Sequence, residues 1–256
     1  MEHSAPIKAV IVDLDNTLLH TDKSLSEYTV SALKKCKERG IKIMVATARP
    51  YRTATSYFER VGFDAISVSN SARVFCGEKI AEQGMAFESV ERFLNALKEY
   101  EDLYITVETG SCAYSNKPII YYQTVVTEDL VGIAKTEGAL KILVHKDRED
   151  APEIVERAMP DDLYATLSGG FLIQVMDKKA TKWNGVKIML EALQCAPEET
   201  AYFGDDQDDV EPIRRCGMGV AVANAIEEAK AAAENGAMKQ NGLTAVSRGM
   251  PPSGQR

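Results

Sequence analysis

Short apolar runs alternate with amphipathic stretches over the beginning of the chain. Three apolar runs have strand length and predict buried strands: Ala9–Leu14, Ile41–Ala46 and Ala65–Val68. Between them, Ser24 and Ser26 open an amphipathic stretch that reaches Arg39 and stops at Gly40, as a helix does. A second helix is predicted after Pro50, from Tyr51 to about Arg60. This βαβαβ order predicts a parallel sheet with helices on its faces.

The middle of the chain has a different pattern, in which strand-like runs follow one another with few helices between them. A hairpin is predicted where Val74–Phe75 and Ile80–Ala81 flank Gly77-Glu78. Further elements are helices at about Glu88–Tyr100 and Ala151–Met159, and strands at Tyr104–Glu108, Ala139–His145, Tyr164–Leu167 and Phe171–Met176. We therefore predict an inserted α+β domain over residues 77–178.

The α/β pattern resumes after this insertion. The predicted elements are a helix at Trp183–Leu193, strands at Thr200–Phe203 and Met218–Val222, and a helix at Ile226–Asn235. Met250–Arg256 contains Pro, Gly and Ser and is predicted to be a loose tail. The fold class is α/β, with a Rossmann-like three-layer α/β/α core formed by residues 1–76 and 179–256.

Composition narrows the class of protein. The 256 residues are 45% hydrophobic and 27% charged, which is typical of a soluble globular chain. A net charge of −8 argues against nucleic-acid or membrane-surface binding. Five scattered cysteines and the lack of a signal-peptide pattern favour a reducing, cytoplasmic location. No apolar run approaches the length of a membrane span. Either a monomer or a homodimer is compatible with this chain.

Two carboxylates follow the first predicted strand. Asp13 and Asp15 lie two residues apart, and on an extended backbone they share one side. With carbonyl oxygens they can hold a hard cation such as Mg²⁺. The cation can shield an incoming phosphate, so that one Asp attacks it and the other transfers a proton. An acidic loop that caps a helix is the structural alternative. An EF-hand is excluded, because Leu18 and Ser24 stand where that loop needs Gly and Glu.

The second predicted strand ends in Thr47-Ala48-Arg49-Pro50. A hydroxyl group and free backbone N–H groups at a helix start can bind phosphate. Thr47 can equally act as a simple N-cap, and taken alone the cap is the better interpretation.

An acidic segment and a lysine complete the candidate chemistry. Gly204 precedes Asp205, Asp206, Asp208 and Asp209 at the end of the next predicted core strand. Carboxylates this crowded repel one another unless a cation is present, although an exposed acidic turn is an alternative. Lys182, at the entry of the helix after the insertion, can neutralise a phosphate, and Lys178 and Lys179 are rival candidates.

In combination these motifs resemble the haloacid dehalogenase superfamily of phosphatases, and more narrowly the Cof-type hydrolases, which include sugar-phosphate phosphatases. The resemblance covers nearly the whole chain. The matching segments are Asp13-Leu14-Asp15-Asn16-Thr17 to D-x-D-G-T, Ala46-Thr47-Ala48-Arg49-Pro50 to the second motif, Asn70-Ser71-Ala72 to N-G-A, Thr181-Lys182 to S/T-K, and Gly204–Asp209 to G-D-x-x-N-D.

The resemblance implies a role for each matching residue. Asp13 is expected to be the nucleophile that forms an aspartyl-phosphate, and Asp15 the general acid and base. Expected Mg²⁺ ligands are Asp13, the backbone carbonyl of Asp15, and Asp205, with Asp209 supporting either the metal or Lys182. The group expected to line the phosphate site consists of Thr47, Ala48, Arg49, Lys182 and Asp208. The insertion would be a C2-type cap that closes on a small phosphorylated metabolite and sets specificity.

Three residues depart from the family pattern. Asn16 replaces a Gly, and Asn tolerates left-handed backbone geometry. Ala48 replaces another Gly and would be costly if its φ were positive. Asp208 stands where Asn is common and adds negative charge, which could weaken phosphate binding or alter metal affinity.

The favoured function is a Mg²⁺-dependent phosphomonoesterase, with sugar phosphates as the leading substrate class by resemblance. A phosphomutase shares the same motifs and stays open. A dehalogenase is disfavoured, because halide leaves without a proton and Asp15 would have no role. A catalytically idle binding protein on the same fold is the alternative from another class, kept open by Asn16, Ala48 and Asp208.

Overall fold

The computed structural model describes residues 6–120, 122–145, 148–168 and 171–234. Its helices are α1 (Glu27–Glu38), α2 (Thr55–Val61), α3 (Phe87–Leu97), α4 (Leu130–Glu137), α5 (Ala151–Ala158), α6 (Lys182–Ala192), α7 (Val210–Arg215) and α8 (Glu227–Glu234). Its strands are β1 (Ala9–Val12), β2 (Lys42–Ala46), β3 (Ala65–Val68), β4 (Arg73–Cys76), β5 (Lys79–Glu82), β6 (Ile105–Glu108), β7 (Ala113–Ser115), β8 (Val125–Val126), β9 (Lys141–His145), β10 (Leu163–Ser168), β11 (Leu172–Asp177), β12 (Thr200–Gly204) and β13 (Met218–Ala221). The predicted tail at Met250–Arg256 and Asn235 of the last predicted helix lie outside the described residues.

The chain divides into two compact units. The first takes in the described residues of Met1–Asn70, Val74–Ile80 and Lys182–Arg256, and the second those of Ser71–Arg73 and Ala81–Thr181. The boundaries predicted from the sequence, at residues 76/77 and 178/179, stay predictions. The α/β class with an additional α+β unit is confirmed.

The first unit is built on a seven-stranded sheet in the order β13-β12-β1-β2-β3-β4-β5. The five strands from β13 to β3 are parallel to their neighbours. Ile43 and Val45 of β2 pack in one cluster with Val30 of α1 and Phe58 of α2. Met44, which alternates with them, is also fully buried, and α6 packs against β2 and β3. Because both faces of β2 are covered, its sequence is almost continuously apolar.

Local signals in the sequence set the first helix, whereas the second is shorter than predicted. Ser26 is the N-cap of α1, and its hydroxyl accepts a hydrogen bond from the Thr29 amide at 3.0 Å. Gly40, with φ of +81°, follows the helix end in the left-handed geometry that glycine favours. The helix predicted from Tyr51 to Arg60 is instead a single turn at Tyr51–Thr53 followed by α2, because the backbone at Ala54 leaves helical geometry.

The second unit contains a six-stranded sheet in the order β10-β11-β9-β6-β7-β8. Its strands pair antiparallel except for β7 and β8. Apolar side chains from α3, α4 and α5 share one core with alternate residues of the strands, such as Val107 and Ile142. The sequence did not predict β7, β8, α4 or, in the first unit, α7. Each has eight residues or fewer, and elements this short give a weak periodic signal, although α5, which is as short as α4, was predicted.

On the other face of this sheet, several side chains are polar and yet buried. Glu108 of β6 stands opposite Lys141 of β9 in the strand register, and both are about 2% exposed. The Lys141 ammonium donates to Gln174 Oε1 at 2.6 Å, and the Tyr122 hydroxyl donates to Glu108 Oε1. We call Glu108, Tyr122, Lys141 and Gln174 the sheet-face cluster.

Among the described residues, no helix combines the length and apolar character that crossing a membrane requires.

Candidate active site

Polar side chains gather where four neighbouring parallel strands of the first unit end. Asp205 follows β12, Asp13 follows β1, Thr47 follows β2 and Ser69 follows β3. These strands are consecutive in the sheet order, so their carboxyl ends lie side by side. This edge of an open α/β sheet is where such folds bind ligands.

A buried lysine joins two carboxylates at this edge. Lys182 Nζ donates to Asp13 Oδ1 at 2.8 Å and to Asp209 Oδ1 at 2.6 Å. All three side chains are buried, with at most 7% of any one exposed. Of the three lysines considered from the sequence, it is Lys182, the first residue of α6, that makes these contacts. We call Asp13, Lys182, Tyr202, Asp205 and Asp209 the strand-end cluster.

Asp209 is held by four hydrogen-bond donors. Oδ1 accepts from Lys182 and from the Tyr202 hydroxyl at 2.6 Å, and Oδ2 accepts from the amides of Asp205 and Asp206 at 3.0 and 3.1 Å. This arrangement favours the predicted option in which Asp209 supports Lys182. It also explains Gly204, because a Cβ atom there would lie only 2.5 Å from Asp209 Cβ and Cγ.

Oxygen atoms of Asp13, Asp205 and Asp209 all lie within 4.8 Å of one another. Asp205 Oδ1 also accepts a hydrogen bond from the Thr17 hydroxyl at 2.7 Å. Among the residues that the structure describes, these three carboxylates have one ammonium group beside them, that of Lys182, so negative charge is in excess within the cluster. Carboxylate oxygens are the donors that hard divalent cations such as Mg²⁺ prefer. The residues present therefore fit a divalent cation, with Asp13 and Asp205 as the carboxylates least occupied by other donors.

Burial and the neighbouring carboxylates both shift the pKa values of the cluster. Burial, together with the charges of Asp209 and Asp205, raises the pKa of Asp13 to about 8, although Lys182 opposes the shift. Burial alone would lower the pKa of Lys182, yet the charges of Asp13 and Asp209 raise it above its usual value. Burial also raises the pKa of Asp205. A bound cation would favour the ionised form of Asp13.

Asp15 contacts different partners from Asp13. Arg49 donates from Nε to Asp15 Oδ2 at 2.6 Å and from Nη2 to Oδ1 at 2.7 Å, and Lys23 Nζ donates to Oδ1 at 2.7 Å. Partial burial raises the pKa of Asp15, but the hydrogen bonds from Arg49 and Lys23 outweigh it and lower the value to about 2. Arg49 is thus held by Asp15 in the structure, and its contact with a phosphate stays a prediction.

The predicted phosphate loop begins with a buried threonine. Thr47 is 1% exposed, and its Oγ1 accepts a hydrogen bond from the Arg49 amide at 3.2 Å. Ala48 lies between them and is not among the described residues with positive φ, so replacing Gly there adds no left-handed strain. Asn16 has φ of +57°, in agreement with the expectation that Asn can replace Gly in this turn.

Asp208 accepts a hydrogen bond from the Asn70 side-chain amide. Asn70 is the middle residue of Ser69–Ser71, a turn after β3 in which each residue has positive φ. The charge of Asp208 also contributes to the raised pKa of Lys182. The family departure at this position therefore adds a carboxylate whose field reaches the strand-end cluster.

Sequence reasoning assigned no role to several residues that hold the site. Tyr202, Thr17, Lys23 and Asn70 each contact one predicted site carboxylate. Tyr202 carried a usable signal, because a tyrosine within a buried strand needs a partner for its hydroxyl. Thr17 and Asn70 stand in segments that match family motifs, whereas Lys23 carried no such signal.

Comparison with known proteins decides the family. Residues 10–250 match the model of the haloacid dehalogenase-like hydrolases. The chain belongs to this family. The resemblance stated from the motifs is thereby confirmed, as is the expectation of a hydrolase.

Curated and solved relatives of this family member agree with that result. A 5-amino-6-(5-phospho-D-ribitylamino)uracil phosphatase, YitU of Bacillus subtilis, is 24% identical over 86% of this chain and 88% of its own length. A haloacid dehalogenase-like hydrolase from Bacteroides thetaiotaomicron has the same fold, with a TM-score of 0.80 at 20% identity, over 89% and 92% of the two chains. A subclass IIB sugar phosphatase of the superfamily matches with a TM-score of 0.77 at 23% identity, over 92% and 96%. The phosphatase names agree with the expected enzyme class, a phosphoric monoester hydrolase.

Proposed function

We propose that this hydrolase is a Mg²⁺-dependent phosphatase that removes the phosphoryl group from a small phosphorylated metabolite through an aspartyl-phosphate on Asp13. The observation that carries the proposal is the Lys182 ammonium bridging Asp13 and Asp209 at the carboxyl end of the sheet, beside Asp205. A buried carboxylate fixed by a lysine, within a cluster that still has excess negative charge, suits attack on a phosphoryl group brought in with a divalent cation.

Asp13 is oriented for attack through one of its two oxygens. Lys182 holds Oδ1, and among the described residues Oδ2 accepts no hydrogen bond. In the first step Asp13 Oδ2 forms a bond to phosphorus as the bond from phosphorus to the leaving oxygen breaks. Mg²⁺, held by the carboxylates of Asp13 and Asp205 and by the backbone carbonyl of Asp15, would supply the positive charge that offsets the phosphoryl oxygens.

Asp15 is the proton-transfer group in this proposal. Once substrate is bound, its carboxylate takes up a proton from solvent and gives that proton to the leaving oxygen in the first step. In the second step its carboxylate takes a proton from the water that attacks the aspartyl-phosphate. Thr47, Arg49 and Lys182 hold the phosphoryl oxygens, since they flank Asp13 and Asp15 and offer hydrogen-bond donors.

Sugar phosphates and related polyol phosphates are the substrate class that the relatives favour. One relative is named as a phosphatase of a phosphorylated ribitylamino compound and another as a sugar phosphatase. The first screen should therefore contain phosphate monoesters of pentoses, hexoses and sugar alcohols.

The test is hydrolysis of p-nitrophenyl phosphate with Mg²⁺ by the wild type and by Asp13→Asn. The substitution keeps the size of the side chain and removes its nucleophilic charge, so turnover should fall by at least about a thousandfold. EDTA should abolish the wild-type activity. Asp161→Asn, a matched change at an exposed aspartate of the second unit, should retain full turnover. Activity that persists in Asp13→Asn would place the nucleophile elsewhere and overturn the proposal.

A further inference from the structure

Two cations hold the Asp15 carboxylate, and they hold it unequally. Within the described part of the chain, Oδ2 accepts a hydrogen bond from Arg49 Nε alone, whereas Oδ1 accepts from both Arg49 Nη2 and Lys23 Nζ. If Arg49 leaves, Oδ2 becomes available for proton transfer while Lys23 still holds Oδ1. Lys23 was not singled out by any motif, and its ion pair with Asp15 is partly exposed.

Tyr57 supports both cations. Its hydroxyl donates to the backbone carbonyl of Lys23 at 2.8 Å, and the Arg49 guanidinium lies 5.6 Å from the centre of its ring. Lys23 itself has φ of +63°, and its amide donates to the His20 carbonyl at 2.9 Å. A left-handed lysine whose carbonyl and amide are both bonded is a defined position in a turn, because non-glycine residues seldom adopt this geometry without support.

The Arg49 guanidinium can also bind a partner other than Asp15. Its amide is bonded to Thr47, at the start of the predicted phosphate loop, and the charge of Asp13 acts on its guanidinium. A phosphoryl dianion bound beside Asp13 therefore competes with Asp15 for this guanidinium, which binds phosphate and carboxylate by the same paired hydrogen bonds.

We propose that Lys23 is a positioning residue, which keeps Asp15 in place through Oδ1 while Arg49 moves from Asp15 Oδ2 to the substrate phosphoryl group. This inference rests on the proposed function. Once Arg49 has left, Asp15 Oδ2 takes up a proton from solvent and passes it to the leaving oxygen as the bond from that oxygen to phosphorus breaks and the bond from Asp13 to phosphorus forms. In this arrangement Arg49 binds the phosphoryl group, and Lys23 positions Asp15 for proton transfer.

The consequence is a dependence on the leaving group. An alkoxide is a strong base and needs the proton from Asp15, whereas p-nitrophenolate is a weak base and leaves almost without it. A residue that positions Asp15 should therefore matter for alkyl phosphates and hardly at all for p-nitrophenyl phosphate. A residue that only supports the fold would affect both substrates equally.

The experiment compares kcat/KM for β-glycerophosphate and for p-nitrophenyl phosphate, with Mg²⁺, in the wild type and in Lys23→Met. The constant kcat/KM reports the step that forms the aspartyl-phosphate, in which the leaving group departs. We expect a loss of about tenfold with β-glycerophosphate and of less than about twofold with p-nitrophenyl phosphate, as part of a general-acid contribution of about a hundredfold or more. Lys23→Arg should restore most of the loss.

Three further variants sharpen the result. Tyr57→Phe removes the hydrogen bond to the Lys23 carbonyl and should show a smaller loss, again confined to β-glycerophosphate. Arg49→Met should lower kcat/KM for both substrates, because it also removes the contact with the phosphoryl group. Lys8→Met is the matched control, because Lys8 forms a partly exposed ion pair of the same 2.7 Å length with Glu199, away from Asp15. This variant should keep the wild-type kcat/KM for both substrates.

Equal losses for the two substrates in Lys23→Met, or no loss with either, would overturn the role of Lys23 and leave the phosphatase standing. The proposed function is tested separately by Asp13→Asn on p-nitrophenyl phosphate. If that variant keeps wild-type turnover, both the phosphatase mechanism and the inference built on it are wrong.

Discussion

Both units of this hydrolase bury charged groups, but they balance the charge differently. In the sheet-face cluster, Glu108 and Lys141 stand opposite each other on adjacent antiparallel strands, one acid to one base. In the strand-end cluster, Lys182 pairs with Asp13 and Asp209, and the carboxylate of Asp205 lies beside these two. Isolated buried charge is costly, so a balanced pair can stand without further ions, whereas an excess of carboxylates calls for a cation. Charge balance, more than burial itself, separates a cluster suited to ion binding from one that needs no ion.

The largest effect should come from breaking the strand-end cluster. Asp209→Ala removes the acceptor for Lys182, Tyr202 and two amides, and leaves a buried lysine with fewer partners. We expect the free energy of unfolding to fall by about 3–5 kcal/mol in urea denaturation. Asp206→Ala in the same turn removes a helix N-cap that accepts from the Gln207 amide, and it should cost about 0.5–2 kcal/mol. Similar losses in the two variants would contradict the central place given to Asp209.

Binding of Mg²⁺ should stabilise the protein through the strand-end cluster and should not depend on the sheet-face cluster. At a hundred times its Kd, a ligand adds about 2.7 kcal/mol, so the melting temperature should rise by several degrees. Asp205→Asn should lose this shift in a thermal-denaturation assay, because it removes one of the two available carboxylates. Glu108→Gln, matched in chemistry but placed in the sheet-face cluster, should keep it. Loss of the shift in Glu108→Gln would break the comparison.

A smaller effect is expected within the sheet-face cluster. Lys141→Met removes the ammonium opposite Glu108 and its hydrogen bond to Gln174, at a cost of about 1–3 kcal/mol. A double-mutant cycle with Glu108→Gln, followed by urea denaturation, should show a coupling of about 0.5–3 kcal/mol. Additive losses would mean that the two charges stand opposite each other without stabilising each other.

The order of strands and helices could be predicted because apolar runs and capping residues are local. Ala65–Val68 has the bounds predicted for it, and Ser26 and Gly40 mark the ends of α1. Elements without such signals were missed. Helix α7 has six residues and contains Pro212 near its start, where proline is tolerated but gives no hydrophobic period.

The candidate site was predictable as a set of residues but not as a set of contacts. Motif spacing at strand ends pointed to Asp13, Lys182 and Asp209, which the structure joins by hydrogen bonds. Which carboxylate each cation would hold depends on side chains far apart in sequence. Nothing in the spacing indicated that Arg49 would bind Asp15, or that Lys23 would share it.

Gly204 allows an inactive reference variant to be made without removing a charged group. A methyl group at this position would overlap Asp209 Cβ and Cγ. These two atoms cannot move away without displacing the carboxylate. Gly204→Ala would thus disturb the machinery by volume alone, while every ionisable group stays in the chain and the net charge stays at −8. Such a variant separates what the carboxylates do by their charge from what they do by their placement, a distinction that substitutions of aspartate cannot make.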